Sequence, residues 1–179
     1  MTTTSVMIDE SLIKCLKDKH GKYDFNQLIE FMEASNIVFK DRKLKSAAGI
    51  ATYDCIYVDS SNFNFRIPDF MVYFIILHEM AHHKRLHKYG KHHFIKELSN
   101  ENYDDLFEHV VGEEILADRY ASRMFYKLNK EVFPKYYTQC LDDPNKKAAY
   151  RYRIEFFFGK IQNNEEIYDN LFKEFIIEK

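Results

Sequence analysis

The segment that most constrains the fold is IPDFMVYFIILHEMAHHKRLHKYG, which has Pro68 and Asp69 near its start and Gly90 at its end. Proline and an acidic residue are typical of the first turn of a helix, and glycine is typical of the position after the last turn. The first half of this segment is apolar on every side, and such a helix is normally buried inside a domain. The sequence therefore predicts a long, buried helix.

Shorter patterns lie on both sides of this helix. Apolar residues at helical spacing predict two short helices within residues 8–16 and 28–32. Between residues 37 and 65 the runs IVF, GIATY and CIYV are rich in β-branched and aromatic residues, which predicts a sheet of about three strands packed on the long helix. A second long helix is expected at about 103–128, and amphipathic helices are expected over 145–179. These elements predict an α+β fold that is mostly helical.

The long helix carries the motif HExxH, formed by His78, Glu79 and His82. Residues four apart on a helix lie on one face with Cβ atoms about 5–6 Å apart, so both imidazoles can bind one Zn²⁺ at about 2.0–2.1 Å. Glu79 is then placed to take a proton from the water on the metal. A chain with eight His can contain this pattern by chance. At the end of a buried helix, however, the three polar side chains need a partner.

A hydrolytic zinc site uses three protein ligands. The arrangement HExxHxxGxxH is excluded, because Arg85 and Lys88 occupy its glycine and third-His positions. Glu114 is the better candidate in the segment GEEILADRYASRMF. Glu114 and Asp118 are four residues apart on a face that is otherwise apolar or small, whereas Glu113 lies off that face. Asp118 is expected to hold a ligand His by its second ring nitrogen.

HEMAH followed by EILAD resembles the HExxH…ExxxD signature of the gluzincin zinc peptidases. The order of a short sheet, the strand CIYVD, the HExxH helix and a second helix with ExxAD is similar to the ImmA/IrrE-type peptidases. The likeness covers about residues 37–128, taken as the catalytic core of a single domain over 1–179. It implies that Glu114 is the third zinc ligand, that Asp118 orients His78, and that residues 56–59 pair with an extended substrate backbone. A protein or peptide substrate is the implied partner.

Two interpretations compete with a zinc peptidase. One is a zinc-binding regulatory or interaction domain without turnover, and the other is an all-α structural protein with an accidental motif. Glu79 argues against the first, because a structural zinc site needs no base and usually has four protein ligands. The basic stretch 82–96 suits a local nucleic-acid patch or second metal site, but a solvated helix end explains it more simply. Tyr120 and residues 150–153 stay open as donors to an oxyanion.

The charge and cysteine content bear on partners and location. A formal net charge of −2 gives no global field for binding nucleic acid or an anionic membrane. The longest apolar run, residues 70–77, is far shorter than the roughly 20 residues that cross a bilayer, and no secretory signal is evident. The three cysteines are far apart and form no CxxC pair, which is typical of a reducing compartment. We therefore expect a cytoplasmic protein, with the oligomeric state left open.

Overall fold

The computed structural model describes residues 7–45, 47–63, 67–90, 103–131 and 176–177. This part of the chain has a mostly helical α+β fold, as predicted. The helices are α1 (Glu10–Asp18), α2 (Phe25–Ala34), α3 (Asp69–Tyr89) and α4 (Tyr103–Asn129), and a 3-10 turn covers Ser60–Asn62. The strands are β1 (Phe39–Asp41), β2 (Lys43–Leu44), β3 (Gly49–Ala51), β4 (Ile56–Val58) and β5 (Ile176–Ile177).

Helix α3 begins and ends where its sequence signals predicted. Pro68 occupies the N-cap position, and Gly90 follows the last turn with a φ of 103°, a conformation that glycine adopts readily. The Gly90 N–H donates to the Leu86 carbonyl at 2.8 Å and closes the helix. One side of the apolar half is fully buried and the other is partly buried; the fully buried residues are Val72, Tyr73, Ile76 and Leu77.

The sheet places β4 in the centre, parallel to β1 and antiparallel to β3. The outer edge of β1 is covered by residues 7–9. Ile8 pairs with Phe39, the Phe39 N–H donates to the Met7 carbonyl at 2.7 Å, and the Asp9 N–H donates to the Phe39 carbonyl at 3.0 Å. The opposite edge of the sheet belongs to β3, and no strand of the described segments pairs with its outer side.

Helix α3 packs against β3 and β4 on one side and against α4 on another. Ala117 and Ala121 of α4 are fully buried, and their small side chains suit the packing of α4 against α3. Further along, Phe125 packs edge-on against Tyr73 with ring centroids 5.5 Å apart. Since both rings are fully buried, this contact fixes α4 relative to α3 beyond the candidate site.

Strand β5 corrects the expectation of helices over residues 145–179. Ile176 pairs with Leu44, and Ile177 pairs with Lys43. The two isoleucines therefore form a two-stranded antiparallel sheet with β2. Two consecutive isoleucines fit a strand well once a partner strand is available, and that tertiary pairing outweighs the helical pattern around them. The rest of the expected C-terminal helices, residues 145–175 and 178–179, lies outside the described residues. None of the described helices has both the length and the apolar character that a membrane crossing requires.

Candidate metal centre

The side chains of His78, His82 and Glu114 meet at one point between α3 and α4. The Nε2 atoms of the two imidazoles are 3.0 Å apart. His78 Nε2 lies 3.1 Å from Glu114 Oε2, and His82 Nε2 lies 3.3 Å from Glu114 Oε1. The structure thus brings together the three side chains that the sequence singled out, and Glu114 reaches them from the second helix.

These distances suit a tetrahedral metal ion. Ligands placed about 2.0–2.1 Å from a zinc ion at tetrahedral angles lie about 3.3 Å from one another. The two ring nitrogens are 3.0 Å apart, and each lies within 3.3 Å of one oxygen of the Glu114 carboxylate, so the three groups can surround one ion. Three protein ligands also leave one coordination position for a water or a substrate. The donor set of two imidazoles and a carboxylate is one that zinc uses in hydrolytic sites.

Asp118 holds His78 from the side opposite the ligand cluster. His78 Nδ1 donates a hydrogen bond to Asp118 Oδ1 at 2.9 Å, which leaves Nε2 as the ring nitrogen that faces Glu114. Asp118 lies one helical turn after Glu114, so α4 supplies both the carboxylate in the cluster and the one that orients the imidazole. The side chains of His78 and Asp118 are each 13% exposed. Little water therefore competes for this hydrogen bond.

The proton balance of the cluster depends on its carboxylates. Burial disfavours the charged form of His78, but hydrogen bonds to Asp118 and Glu114 outweigh burial and raise the pKa of His78 to about 10. Burial also opposes the charge on Glu114, yet the imidazoles of His82 and His78 hold the pKa of Glu114 well below its ordinary value. A protonated His78 ring thus places a positive charge beside the carboxylates of Asp118 and Glu114.

Glu79 lies beside the cluster and faces β3. Its carboxylate accepts a hydrogen bond from the backbone N–H of Ala51. Burial raises the pKa of Glu79 above the ordinary glutamate value, while His78 and His82 act in the opposite direction. A carboxylate with a raised pKa is a better proton acceptor near neutral pH, because its conjugate acid is weaker. The position and the electrostatics of Glu79 both suit a general base.

The outer edge of β3 runs beside Glu79. On the inner side, the Asp59 N–H donates to the Ala48 carbonyl at 3.0 Å and the Thr52 N–H donates to the Cys55 carbonyl at 2.9 Å. Because hydrogen bonding alternates along an antiparallel pair, the polar backbone groups of Gly49 and Ala51 point away from β4. These groups form the edge of the sheet that adjoins Glu79.

This geometry corrects one expectation that the family resemblance implied. Residues 56–59 were expected to pair with an extended substrate backbone, but β4 already hydrogen-bonds with β1 on one side and with β3 on the other. A central strand has no polar backbone groups left for a substrate. Strand β3, which the sequence predicted only as a member of the sheet, is the strand whose outer edge has no partner strand among the described residues.

The structure also places residues around the site whose contacts the sequence did not predict. Arg85 forms a bidentate ion pair with Glu113, the neighbour of Glu114. This ion pair joins α3 to α4. The Glu113 side chain is 5% exposed. The hydroxyl of Tyr120, an open candidate for an oxyanion donor, accepts a hydrogen bond from Lys84 Nζ at 2.7 Å. The other candidates, residues 150–153, lie outside the described residues, as does the basic stretch beyond Gly90.

Comparisons with known proteins add no further information. No family model, curated protein or solved structure matches the chain. Interpretation of the site therefore rests on its own geometry and chemistry.

Proposed function

We propose that this protein is a zinc-dependent peptidase that hydrolyses peptide bonds in a protein or peptide substrate. One observation carries the proposal: a three-ligand cluster of His78, His82 and Glu114 adjoins both Glu79 and the open edge of β3. A metal ligand set, a base and a backbone-pairing edge are the three parts that hydrolysis of an extended peptide requires.

Each residue of the cluster has a distinct task in this proposal. His78, His82 and Glu114 hold the ion, and Asp118 fixes the ring of His78 so that Nε2 faces the cluster. A zinc ion held by these residues would polarise a substrate carbonyl and would lower the pKa of a water ligand toward about 7. Glu79 accepts the proton from the attacking water at its carboxylate and later gives it to the leaving amine. The Ala51 N–H orients the Glu79 carboxylate while it does so.

The edge of β3 supports a peptide as the substrate class. The backbone groups of Gly49 and the carbonyl of Ala51 can pair with an extended segment, as in other complexes in which a peptide adds a strand to a sheet, while the Ala51 N–H stays with Glu79. Main-chain hydrogen bonds of this kind require no particular side chains in the substrate. An added strand passes directly beside Glu79, so pairing also places a peptide bond near the base.

We also propose that the protein acts in the cytoplasm. Cys15 and Cys55 carry free thiols, and Cys55 is buried at 2% exposure, where it packs as a small apolar residue. Free, widely spaced cysteines are typical of proteins from reducing compartments.

The test is to incubate the zinc-loaded wild type and the Glu79→Gln variant with one library of proteome-derived peptides and to identify new termini by mass spectrometry. We expect cleavage by the wild type only, with about one zinc per chain in both proteins. Equal cleavage by both proteins would refute the role of Glu79. Zinc binding without cleavage would favour the regulatory domain, and the absence of tight zinc binding would favour a structural protein. Parallel loading with Mn²⁺, Fe²⁺ and Co²⁺ tests the choice of metal.

A further inference from the structure

One face of helix α3 lies along β3 and the turn between β3 and β4. The side chains on this face form a stripe. Glu79, His83 and His87 are four residues apart and therefore lie on one face of the helix. Along this stripe Glu79 contacts Ala51, His83 contacts Thr52 and His87 contacts Tyr53. Three successive helical turns thus each hold one of three consecutive residues of the chain.

The two histidines bind backbone atoms of the turn between β3 and β4. His83 Nδ1 donates to the Thr52 carbonyl at 2.7 Å, and His87 Nε2 donates to the Tyr53 carbonyl at 2.6 Å. The His87 ring also stacks on the ring of Tyr53, with centroids 4.2 Å apart and planes within 10° of parallel. His83 is buried at 7% exposure. Its hydrogen bond is therefore shielded from competition by water.

Hydrogen bonds within the turn between β3 and β4 hold its shape. A shift of Thr52 would therefore also move β3. The Thr52 N–H donates to the Cys55 carbonyl at 2.9 Å, the Thr52 hydroxyl donates to the same carbonyl at 2.7 Å, and the Cys55 N–H donates back to that hydroxyl at 3.1 Å. Thr52 directly follows Ala51, whose N–H binds Glu79. The position of this turn on α3 consequently sets the position of the Ala51 N–H.

We propose that His83 and His87 are positioning residues: they fasten the β3–β4 turn to α3 and thereby set the alignment of the Ala51 N–H with the Glu79 carboxylate. Neither histidine belongs to the ligand cluster, because both lie on the β3 face of α3. The inference rests on the proposed function where it concerns turnover, but its structural part concerns only the contact between Ala51 and Glu79.

The test compares His83→Leu, which removes the donor, with His83→Asn, whose amide nitrogen replaces Nδ1. The exposed residue Lys88, whose Nζ lies over the Tyr89 ring, provides the control Lys88→Ala. Amide hydrogen exchange at Ala51 is measured by NMR on the zinc-loaded full chain. Loss of one hydrogen bond corresponds to about tenfold faster exchange in His83→Leu, with His83→Asn and Lys88→Ala within about twofold of the wild type.

A peptide that the wild type cleaves provides the second measurement. We expect His83→Leu to lower kcat about tenfold at a nearly unchanged KM, and His83→Asn to restore it. Unchanged Ala51 exchange in His83→Leu, or equal impairment in His83→Leu and His83→Asn, would overturn the proposal. If His83→Leu does not fold, His87→Leu, at the exposed end of the stripe, replaces it. Faster amide exchange at Ala51 in His87→Leu would then support the proposal, and unchanged exchange would overturn it. Absence of cleavage by the wild type would refute the proposed peptidase function. The positioning role of the two histidines would then be tested by amide exchange at Ala51 alone.

Discussion

Gly49 and Glu79 approach each other so closely that a larger residue at position 49 would displace one of them. A Cβ built on Gly49 would lie 2.6 Å from Glu79 Cγ and 3.2 Å from Ile75 Cγ2. The first separation is too short for any real Cβ contact, so either β3 or the Glu79 side chain would have to move. Glycine at this position sets the distance between the edge strand and the proposed base.

Replacement of Gly49 by alanine should therefore impair catalysis without affecting metal binding. A displacement of the base by about 1 Å is expected to lower kcat by about 10–100-fold. Zinc affinity should stay at the wild-type value, because position 49 contacts Glu79 and Ile75 rather than a ligand. Steady-state kinetics and a zinc competition titration measure the two effects.

The matched control is Gly112→Ala on α4. A Cβ at Gly112 meets no atom within 4 Å, and alanine is the better helix former by about 1 kcal/mol. This variant should retain wild-type kcat and be at least as stable. Equal kcat in Gly49→Ala and Gly112→Ala would contradict the role assigned to the glycine at position 49.

Asp118→Ala should weaken zinc binding, because His78 then loses the hydrogen bond at Nδ1 that fixes its ring. Loss of such a supporting carboxylate typically lowers metal affinity by about 10–100-fold. Competition with a chromophoric chelator measures the change, and Arg119→Ala, an exposed neighbour on α4, provides the control. Equal zinc affinity in Asp118→Ala and the wild type would rule out this orienting role.

Zinc binding should release a proton and should strengthen as the pH rises. The pKa of His78 is raised to about 10, so the ring is protonated at neutral pH and must lose its proton before Nε2 can bind a metal. The carboxyl of Glu114, with its lowered pKa, is already charged and releases none. The apparent affinity should rise about tenfold per pH unit between about pH 7 and pH 10, and level off above.

Calorimetric titrations in two buffers of different ionisation enthalpy count the released protons. In Asp118→Ala the pKa of His78 loses the contribution of its Asp118 hydrogen bond, so the affinity should level off at a lower pH than in the wild type. An affinity that is independent of pH between about pH 7 and pH 9 would contradict the assigned protonation of His78.

Arg85→Ala should destabilise the fold by leaving Glu113 in the interface without this cation. Removal of one partner from a buried ion pair costs about 3–5 kcal/mol, and the 25% exposure of the Arg85 side chain reduces the expected loss to about 2–3 kcal/mol. The double variant Arg85→Met, Glu113→Leu should recover most of this stability, because it also removes the buried charge. Urea unfolding of the three proteins measures the difference, and a double variant as unstable as Arg85→Ala would refute the explanation.

The sequence predicted the helices and the three-stranded sheet within residues 7–131 and the candidate ligands His78, His82 and Glu114, because periodicity and the face that a residue occupies depend on short-range spacing. Helical periodicity brought His78 and His82 onto one face, and the same argument separated Glu114 from Glu113 before any contact was known. The order of strands does not follow from spacing, so the resemblance implied residues 56–59 as the pairing strand, although they form the sheet's central strand. Only the tertiary arrangement reveals which strand of the described residues has a partner on one side alone.

The contacts around the cluster were missed for a related reason. Glu79, His83 and His87 have the same four-residue spacing that identified the metal ligands, so their common face was evident in the sequence. Their partners are backbone carbonyls of a turn more than 30 residues earlier, and a backbone carbonyl leaves no residue-specific trace in a sequence. The Arg85–Glu113 pair likewise depends on the rotation of α4 relative to α3.

Residues 7–9 cover the outer edge of β1, so the two edges of the sheet differ. A further strand cannot pair at Phe39, where residues 7–9 already lie, whereas the edge at Gly49 and Ala51 has no partner strand in the described part of the chain. A chain that pairs with β3 through its backbone would therefore also lie beside Glu79. Under the proposed function, an unfolded chain that bound this protein through its main chain would lie where a substrate is expected to lie.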